Sequence, residues 1–498
     1  MAGDVRSRSG EITVGDGVFK ASTPTPLDSK ASGMSLSSDS PVLRESAAAR
    51  GSRFYRRTLP RRASFWLLAA TFCLLFVAAA APAPLYRVYQ AEWRFSVTTL
   101  TAVFAVYALV LLVTLLMFGS VSDYFGRRLT IVVGLAAYGM ACGVFLAAGG
   151  VAALFVARAL QGVAVGLATG ALGAAMLELQ PEGSGLAAPV STAANPLGLA
   201  LGGLGTSVLV QYGPARTHLV WWLLLAAGLT ALVAVLAIPE PRAVPSRTRP
   251  SFRPRLRVPR EARGAFAAAL PCLIGVWALG GFYLSLGPSL AAQLLGSQNL
   301  LWGGFVIALL FGVGVPITLV VRNSAPSKVM LGGCVVLFAG ALITFAGIAM
   351  RAPALLLAGS GVAGLGWGPA FMGSYGAIVT LARPEDRAGL IAAVFTVGFL
   401  AFSVPAVIAG VATSRYGLHA IALAYCSVVA VLAATAAGSV VVRRARAGRV
   451  AVRAAAGLDS LPGPPAIRHA PKEPCRPEAN ATTRLGGDPF AGSGNRSR

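Results

Sequence analysis

The segment Gly119-Ser120-Val121-Ser122-Asp123-Tyr124-Phe125-Gly126-Arg127-Arg128 joins two long apolar stretches, residues 97 to 119 and 129 to 148. A run of roughly 20 apolar residues is long enough to cross about 30 Å of hydrocarbon as a helix. Glycines near both ends of so short a loop permit a tight turn, and the acid and the two arginines favour an aqueous boundary. The segment therefore predicts two membrane helices that turn at a membrane surface.

The same pattern recurs along the chain. Of its 498 residues, 56% are hydrophobic and 12% are charged, whereas soluble chains average about twice that charged fraction. The composition therefore excludes an ordinary soluble enzyme and predicts an all-α membrane protein with twelve transmembrane helices. The twelve apolar stretches are residues 63–82, 97–119, 129–148, 151–178, 187–210, 219–238, 266–290, 301–321, 328–349, 353–380, 388–413 and 418–442.

Positive charge concentrates outside these stretches. Residues 1–62, 240–263 and 443–498 together hold +18 of the net charge of +24, which suits an anionic cytoplasmic membrane face. No basic surface is interleaved with aromatic residues, so we expect no nucleic-acid partner. With both termini inside, the cytoplasmic loops carry fourteen Lys and Arg residues against five in the outside loops. This asymmetry predicts cytoplasmic termini in a multi-pass plasma (inner) membrane protein.

The stretch from Pro239 to Arg263 holds six prolines and eight arginines, which predicts a cytoplasmic linker over residues 239–265. The segment from Pro181 resembles the one from Pro384, and the offset of 203 also carries the start of stretch 1 onto stretch 7. Two pseudo-symmetric six-helix bundles follow, residues 63–238 and 266–442, with a substrate site expected at their interface. The basic tails, 1–62 and 443–498, lack a periodic apolar face and are predicted to be disordered.

The cysteines and histidines form no cluster of the kind that a catalytic or metal-binding site needs. Five of the six cysteines lie singly in apolar stretches, and the three histidines are scattered. We therefore expect no disulfide framework, no metal site and no cofactor. The first apolar stretch begins only near Ala63, so helix 1 itself is expected to direct membrane insertion.

The G-x-x-x-D-x-x-G-R-R spacing from Gly119 to Arg128 resembles the signature loop of the major facilitator superfamily. Arg158, Gln161 and Gly162 are similar to the family's R-x-x-Q-G motif in helix 4, and the resemblance covers about 380 residues. Two arginines alone would fit a plain positive-inside turn, but the complete spacing is more specific. Helix 5 matches the family's antiporter motif only in part, because no proline follows Gly202.

The resemblance implies a gate built on the signature loop. The carboxylate of Asp123 would interact with the N-terminus of helix 11 and hold the halves together in the outward-open state, since a helix N-terminus favours negative charge. Arg127 would reach Glu178 at the cytoplasmic end of helix 4. Gly119, Gly126 and Arg128 complete the predicted gating loop.

Arg158 is the only formal charge well inside any stretch. A buried intramembrane cation is costly unless it faces water or a partner, so we expect it to face the cavity, with Gln161 on the same side. Alternatively, it could extend toward the outer surface. Aromatic residues predicted on cavity-lining helices are Phe72, Phe76, Phe104, Tyr107, Trp277, Phe282, Tyr283 and Trp367.

A pocket of rings, a glutamine and an arginine, without a carboxylate, favours amphipathic or anionic compounds. We predict a secondary transporter that moves small organic molecules by alternating access, with efflux of drug-like compounds as the family-level expectation. Transport of a sugar or an organic acid is the alternative, and a polytopic membrane enzyme or a sensor is the alternative outside transport. Proton coupling stays open because the acids lie at the membrane rims. The expected chain is a monomer, with anionic lipid at its cytoplasmic face.

Overall fold

The apolar stretches form helices throughout the computed structural model. The structure describes residues 59–119, 121–240, 256–383 and 386–458, and within these ranges it contains helices, turns and loops but no strand. Eleven of its helices are long and apolar enough to cross a membrane. The last of them, Arg387–Leu458, is two helices joined at Gly417, where φ is +77°. The prediction of twelve membrane helices is therefore confirmed.

The helix bounds lie close to the predicted stretches. The helices are α1 Arg61–Trp93, α2 Val97–Phe118, α3 Arg127–Leu146, α4 Val151–Leu179, α5 Ala187–Tyr212, α6 Leu219–Leu236, α7 Arg260–Ser285, α8 Leu301–Asn323, α9 Pro326–Ala349, α10 Pro353–Val379, α11 387–416 and α12 418–458. Short helices Val121–Phe125 and Gly287–Leu295 precede α3 and follow α7.

The largest differences between predicted and observed boundaries are at three places. Helix α1 continues past residue 82 to Trp93, because Pro82 begins a new helical turn without needing an N–H partner. Helix α7 begins at Arg260, inside the predicted linker. Helix α12 continues to Leu458, so residues 443–458 of the predicted disordered tail are helical. Residues 1–58, 241–255 and 459–498, which hold the rest of the predicted tails and linker, lie outside the described residues.

The membrane helices alternate between two ends of the molecule, which we call the termini side and the far side. On the termini side, Leu59 N donates to Ala237 O, and Arg61 donates to Glu178 O at the end of α4. Arg443 of α12 donates to Gly264 O near the start of α7. The chain therefore enters α1 and leaves the membrane part of α12 at the same end, as an even number of spans requires.

We call α1–α6 the N-terminal bundle and α7–α12 the C-terminal bundle, after the two six-helix halves that the sequence predicts. They meet along α2 with α11 and along α5 with α8. Three hydrogen bonds join described residues of the two bundles, from Thr98 Oγ1 to Gly410 O (3.3 Å), from Leu300 N to Gln211 Oε1 (3.1 Å) and from Arg87 Nη2 to Gln298 Oε1 (3.0 Å). All three lie at the far side, so the bundles are joined there.

Glycines bring the helices into close contact at this far-side seam. A Cβ at Gly304 of α8 would lie 2.6 Å from Gly203 O of α5, and a Cβ at Gly410 would lie 2.7 Å from Thr101 Cγ2 of α2. Real Cβ atoms essentially never approach other heavy atoms below 3.0 Å. The closure of the far side therefore depends on the absence of side chains at these positions.

Candidate functional site

The predicted signature loop folds as one short helix and one tight turn. Val121–Phe125 is helical, and Gly126 then has φ +95°, a conformation that favours glycine. Gly119 has an ordinary helical φ of −57°, so only the second glycine serves the turn. The turn places Arg127 at the first position of α3.

Arg127 contacts the acid that the resemblance implied. Its Nε lies 3.5 Å from Glu178 Oε1, and its Nη1 donates to Ser122 Oγ at 2.6 Å. The guanidinium is buried, and Glu178 is half-buried. The predicted contact is thus present, and it ties the loop to the end of α4 within the N-terminal bundle. Its role in gating stays a prediction.

The other half of the predicted gate lies outside the described residues. The side chain of Asp123 is not described, nor are Pro384 and Glu385 before α11. The interaction of Asp123 with the N-terminus of α11 therefore stays a prediction.

Glu240 is a functional candidate that the sequence interpretation left in the linker. Its Oε1 accepts from Arg128 N at 3.3 Å, at the N-terminus of α3. A Cβ at Gly126 would lie 3.1 Å from the same oxygen. A carboxylate in this place is favoured by the helix dipole, so Glu240 ties the first residues of the linker to the signature loop. The sequence did offer a signal for this contact. Glu240 follows the sixth apolar stretch and the signature loop follows the second, so both lie on the same side of the membrane.

Arg158 and Gln161 bind to a broken part of α1. Gln161 Nε2 donates to Ala78 O at 3.0 Å, and Arg158 Nη1 donates to Ala79 O at 3.0 Å and to Gln161 Oε1 at 2.8 Å. In an unbroken helix, Ala78 O would accept from the N–H of residue 82, but that residue is a proline and has no N–H. The motif on α4 therefore supplies the hydrogen bond that Pro82 removes from α1.

Aromatic rings cover the Arg158 guanidinium. Its Cζ lies 4.2 Å from the centroid of the Tyr107 ring and 5.9 Å from that of Phe104, within the range of cation–π attraction. Arg158 is 1% exposed. In this conformation α1 and the two rings enclose the guanidinium, and the expectation that it faces the cavity stays a prediction.

Other predicted site residues pack within one bundle. Phe76 is buried next to Gly198 of α5, and a Cβ at Gly162 would lie 2.7 Å from Tyr107 O, so this glycine serves the contact between α2 and α4. Tyr283 hydrogen-bonds Ser360 at 2.8 Å, and Trp367 Nε1 donates to Val276 O at 2.8 Å. These interactions explain the side chains as packing groups in this conformation.

Trp277 lies in a cluster that the sequence interpretation missed. Its ring has edge-to-face contacts with four phenylalanines at centroid distances between 4.8 and 6.2 Å. They are Phe371 of α10 and Phe395, Phe399 and Phe402 of α11. The spacing of the last three, four and then three residues apart, was the available signal, because it places them on one helix face.

A chain of rings connects this cluster with Arg158 across the bundle interface. Phe104 of α2 lies 4.9 Å, centroid to centroid, from Phe402 of α11. Arg158 therefore lies behind Phe104 in the N-terminal bundle, and Trp277 lies behind Phe402 in the C-terminal bundle.

Among the described residues, the ion pairs at the termini side do not cross between the bundles, in contrast to the hydrogen bonds of the far-side seam. Arg257 lies 3.6 Å from Asp386, and Arg383 lies 3.7 Å from Glu261, both within the C-terminal bundle. The hydrogen bonds and ion pairs among the described residues thus join the two bundles at the far side only.

Comparisons with known proteins identify the family to which this fold belongs. The family model described as Major Facilitator Superfamily matches residues 66–325. No curated protein matches the chain with statistical significance.

Three solved structures share the fold. The human organic anion transporter MFSD10 (TETRAN) is 16% identical with a TM-score of 0.57, over 76% of this chain and 100% of that one. The nucleoside transporter NupG is 13% identical with a TM-score of 0.59, over 76% and 99%. The peptide transporter POT, solved in complex with sulfate, is 15% identical with a TM-score of 0.63, over 79% and 98%.

The family match covers more than half of the chain, and it agrees with the twelve membrane helices and the signature loop. The chain therefore belongs to the Major Facilitator Superfamily.

Proposed function

We propose that this protein is a secondary transporter that exports amphipathic or anionic small organic molecules by alternating access. The observation that carries the proposal is the asymmetry of the bundle interface. The hydrogen bonds between described residues of the two bundles lie at the far side, whereas the ion pairs at the termini side stay within one bundle. A bundle interface that is bonded at one end is what one state of an alternating-access cycle requires.

The charge distribution supports the substrate class. Every carboxylate whose side chain the structure describes lies at a helix end or in a loop. Arg158 supplies a cation between α1 and α4 near the bundle interface. An anionic group would be attracted to this region, and a cation would be repelled from it. The name of one solved relative, an organic anion transporter, fits the same class.

The loop cations support the placement in the membrane. With Lys and Arg concentrated in the termini-side loops, the termini side is cytoplasmic in a plasma (inner) membrane. The closed far side then faces outward, and the conformation is inward-open. In this setting the chain acts as a monomer whose basic termini side contacts anionic lipid.

The test is transport by the purified full chain in liposomes. Accumulation of organic anions, cations and neutral compounds is measured with and without a pH gradient, for wild type, Arg158→Ala and Arg158→Lys. We expect wild type to move organic anions in preference to cations, and Arg158→Ala to abolish transport. Arg158→Lys keeps the charge but loses the planar guanidinium that lies over the Tyr107 ring, so its transport should be reduced rather than lost.

The far-end control is Arg216→Ala, which removes an exposed arginine from the loop before α6. It should transport as wild type does. Absence of transport for every compound would overturn the proposed function. A preference for cations would overturn the substrate class, and a dependence on the pH gradient would establish proton coupling.

A further inference from the structure

The aromatic cluster around Trp277 lines the space between the bundles. Phe395, Phe399 and Phe402 lie on one face of α11, and Phe402 contacts Phe104 of the opposite bundle. Phe402 is buried, whereas Phe399 and Phe395, one and two turns nearer the termini side, are partly exposed. The shared face is therefore covered at the seam and partly exposed nearer the termini side.

The rings form a continuous wall along this face. Phe395 lies 6.2 Å from Phe399 and 6.4 Å from Tyr375, and Tyr375 lies 6.0 Å from Phe371. These centroid distances are in the range of favourable aromatic pairs.

One buried hydrogen-bond donor in this wall lacks an acceptor among the described residues. The Trp277 Nε1 atom is buried and has no acceptor among the described residues. Trp367, one of its neighbours in the bundle, does have one, the carbonyl of Val276. A buried donor without a partner is costly, so an acceptor on a ligand that reaches this atom would be bound favourably.

The position of the indole is fixed by the backbone. A Cβ at Gly398 would lie 2.6 Å from Trp277 Cε2 and 2.9 Å from Nε1. The indole therefore lies directly on α11, and a glycine at this position is a condition for its placement.

We propose that this wall is a binding site for the planar aromatic part of an anionic substrate, with Trp277 Nε1 donating to its carbonyl or carboxylate oxygen. The inference rests on the proposed function and makes its substrate class narrower. An anion is favoured over a cation because Arg158 is separated from the wall only by the contact between Phe104 and Phe402. No described carboxylate lies among these rings to compensate a cation.

The test compares three probes that share one shape. Binding of 2-naphthoate, its saturated analogue decahydronaphthalene-2-carboxylate and the cation 2-naphthylmethylammonium is measured by calorimetry on the full chain in lipid nanodiscs. We expect 2-naphthoate to bind more tightly than either of the others. Trp277→Phe keeps a ring but removes the donor, and it should weaken 2-naphthoate about tenfold.

Further variants separate the rings from the donor. Phe399→Leu should weaken 2-naphthoate about two- to tenfold, and the saturated analogue much less, because only the aromatic probe loses a ring contact. Gly398→Ala should displace the indole and act as Trp277→Phe does. The matched control is Trp222→Phe, on the exposed surface of α6, which should bind as wild type does. Thermal unfolding of each variant checks that the protein is folded.

Two outcomes would overturn the aromatic site. One is equal binding of 2-naphthoate and the saturated analogue, and the other is unchanged binding in folded Trp277→Phe. Neither would touch the proposed function, which depends on liposome transport of any compound in that screen. Preference for 2-naphthylmethylammonium would instead overturn the anionic class.

Discussion

Gly410 should control how firmly the far side closes. Its carbonyl accepts from Thr98 Oγ1, and a Cβ at this position would lie 2.7 Å from Thr101 Cγ2 and 2.8 Å from Thr101 Cβ. Thr101 cannot easily move away, because its hydroxyl donates to Val97 O at 3.2 Å and Thr98 O at 3.0 Å. Gly410→Ala therefore forces α2 and α11 apart at the seam.

The magnitude follows from the cost of overpacking. Inserting a methyl group into a close contact costs about 1 to 3 kcal/mol. The gain in helix propensity from Gly to Ala is about 1 kcal/mol, but it cancels because α11 is helical in both conformations. The remaining difference lowers the ratio of far-side-closed to far-side-open molecules by about 5- to 150-fold. Gly410→Val should have a larger effect.

Distances between spin labels at residues 92 and 415 report this change, since both positions are exposed at the far side. We expect one short distance in wild type and an added longer distance in Gly410→Ala. The control is Gly205→Ala in α5, where a Cβ would meet no described atom within 4 Å. Its distances should match wild type. A protein without the introduced cysteines gives the labelling blank.

A second-site change tests the contact itself. Thr101→Ala removes Oγ1 and Cγ2, which are the two Thr101 atoms nearest the new methyl group. The double variant with Gly410→Ala should therefore recover part of the closed population. Identical distance distributions in folded Gly410→Ala and wild type would refute the reasoning, because they would mean that the seam absorbs the methyl group without moving.

Three further predictions concern the termini side. Arg127→Ala and Glu178→Ala should each change the distances between spin labels at the termini-side ends of α4 and α10. Because the two residues lie in one ion pair, the double variant should change these distances scarcely more than either single variant. Additive effects would contradict the pairing. Glu240→Gln removes a charge from the N-terminus of α3 and should lower the free energy of unfolding by about 0.3 to 1 kcal/mol, as measured in denaturant, whereas Glu182→Gln, in the loop after α4, should not. Cysteines at Ser251 and Ser297 should differ in labelling by an impermeant reagent outside intact cells, with Ser297 labelled; the reverse pattern would invert the orientation.

The sequence by itself determined the helices and most of their ends. Apolar length decides where a helix can cross a membrane, so the predicted starts of α2, α4, α5, α6, α8 and α10 coincide with the observed ones. It also singled out Arg158, because an isolated charge inside an apolar stretch needs no structure to be noticed. Boundaries failed where hydropathy carries no signal, at the extension of α1 past Pro82 and at the basic helical turns after Val442.

Only the tertiary structure decided what the site residues contact. Arg158 bonds to a carbonyl 79 residues away, and Gln161 to one 83 residues away, and no local pattern specifies such partners. The same holds for Trp277, whose phenylalanines come from two other helices, and for Glu240, which reaches a helix 112 residues earlier in the chain. Periodicity fixes the face on which a side chain lies, but its neighbour depends on the rotation and depth of a second helix, which packing among all the helices sets together.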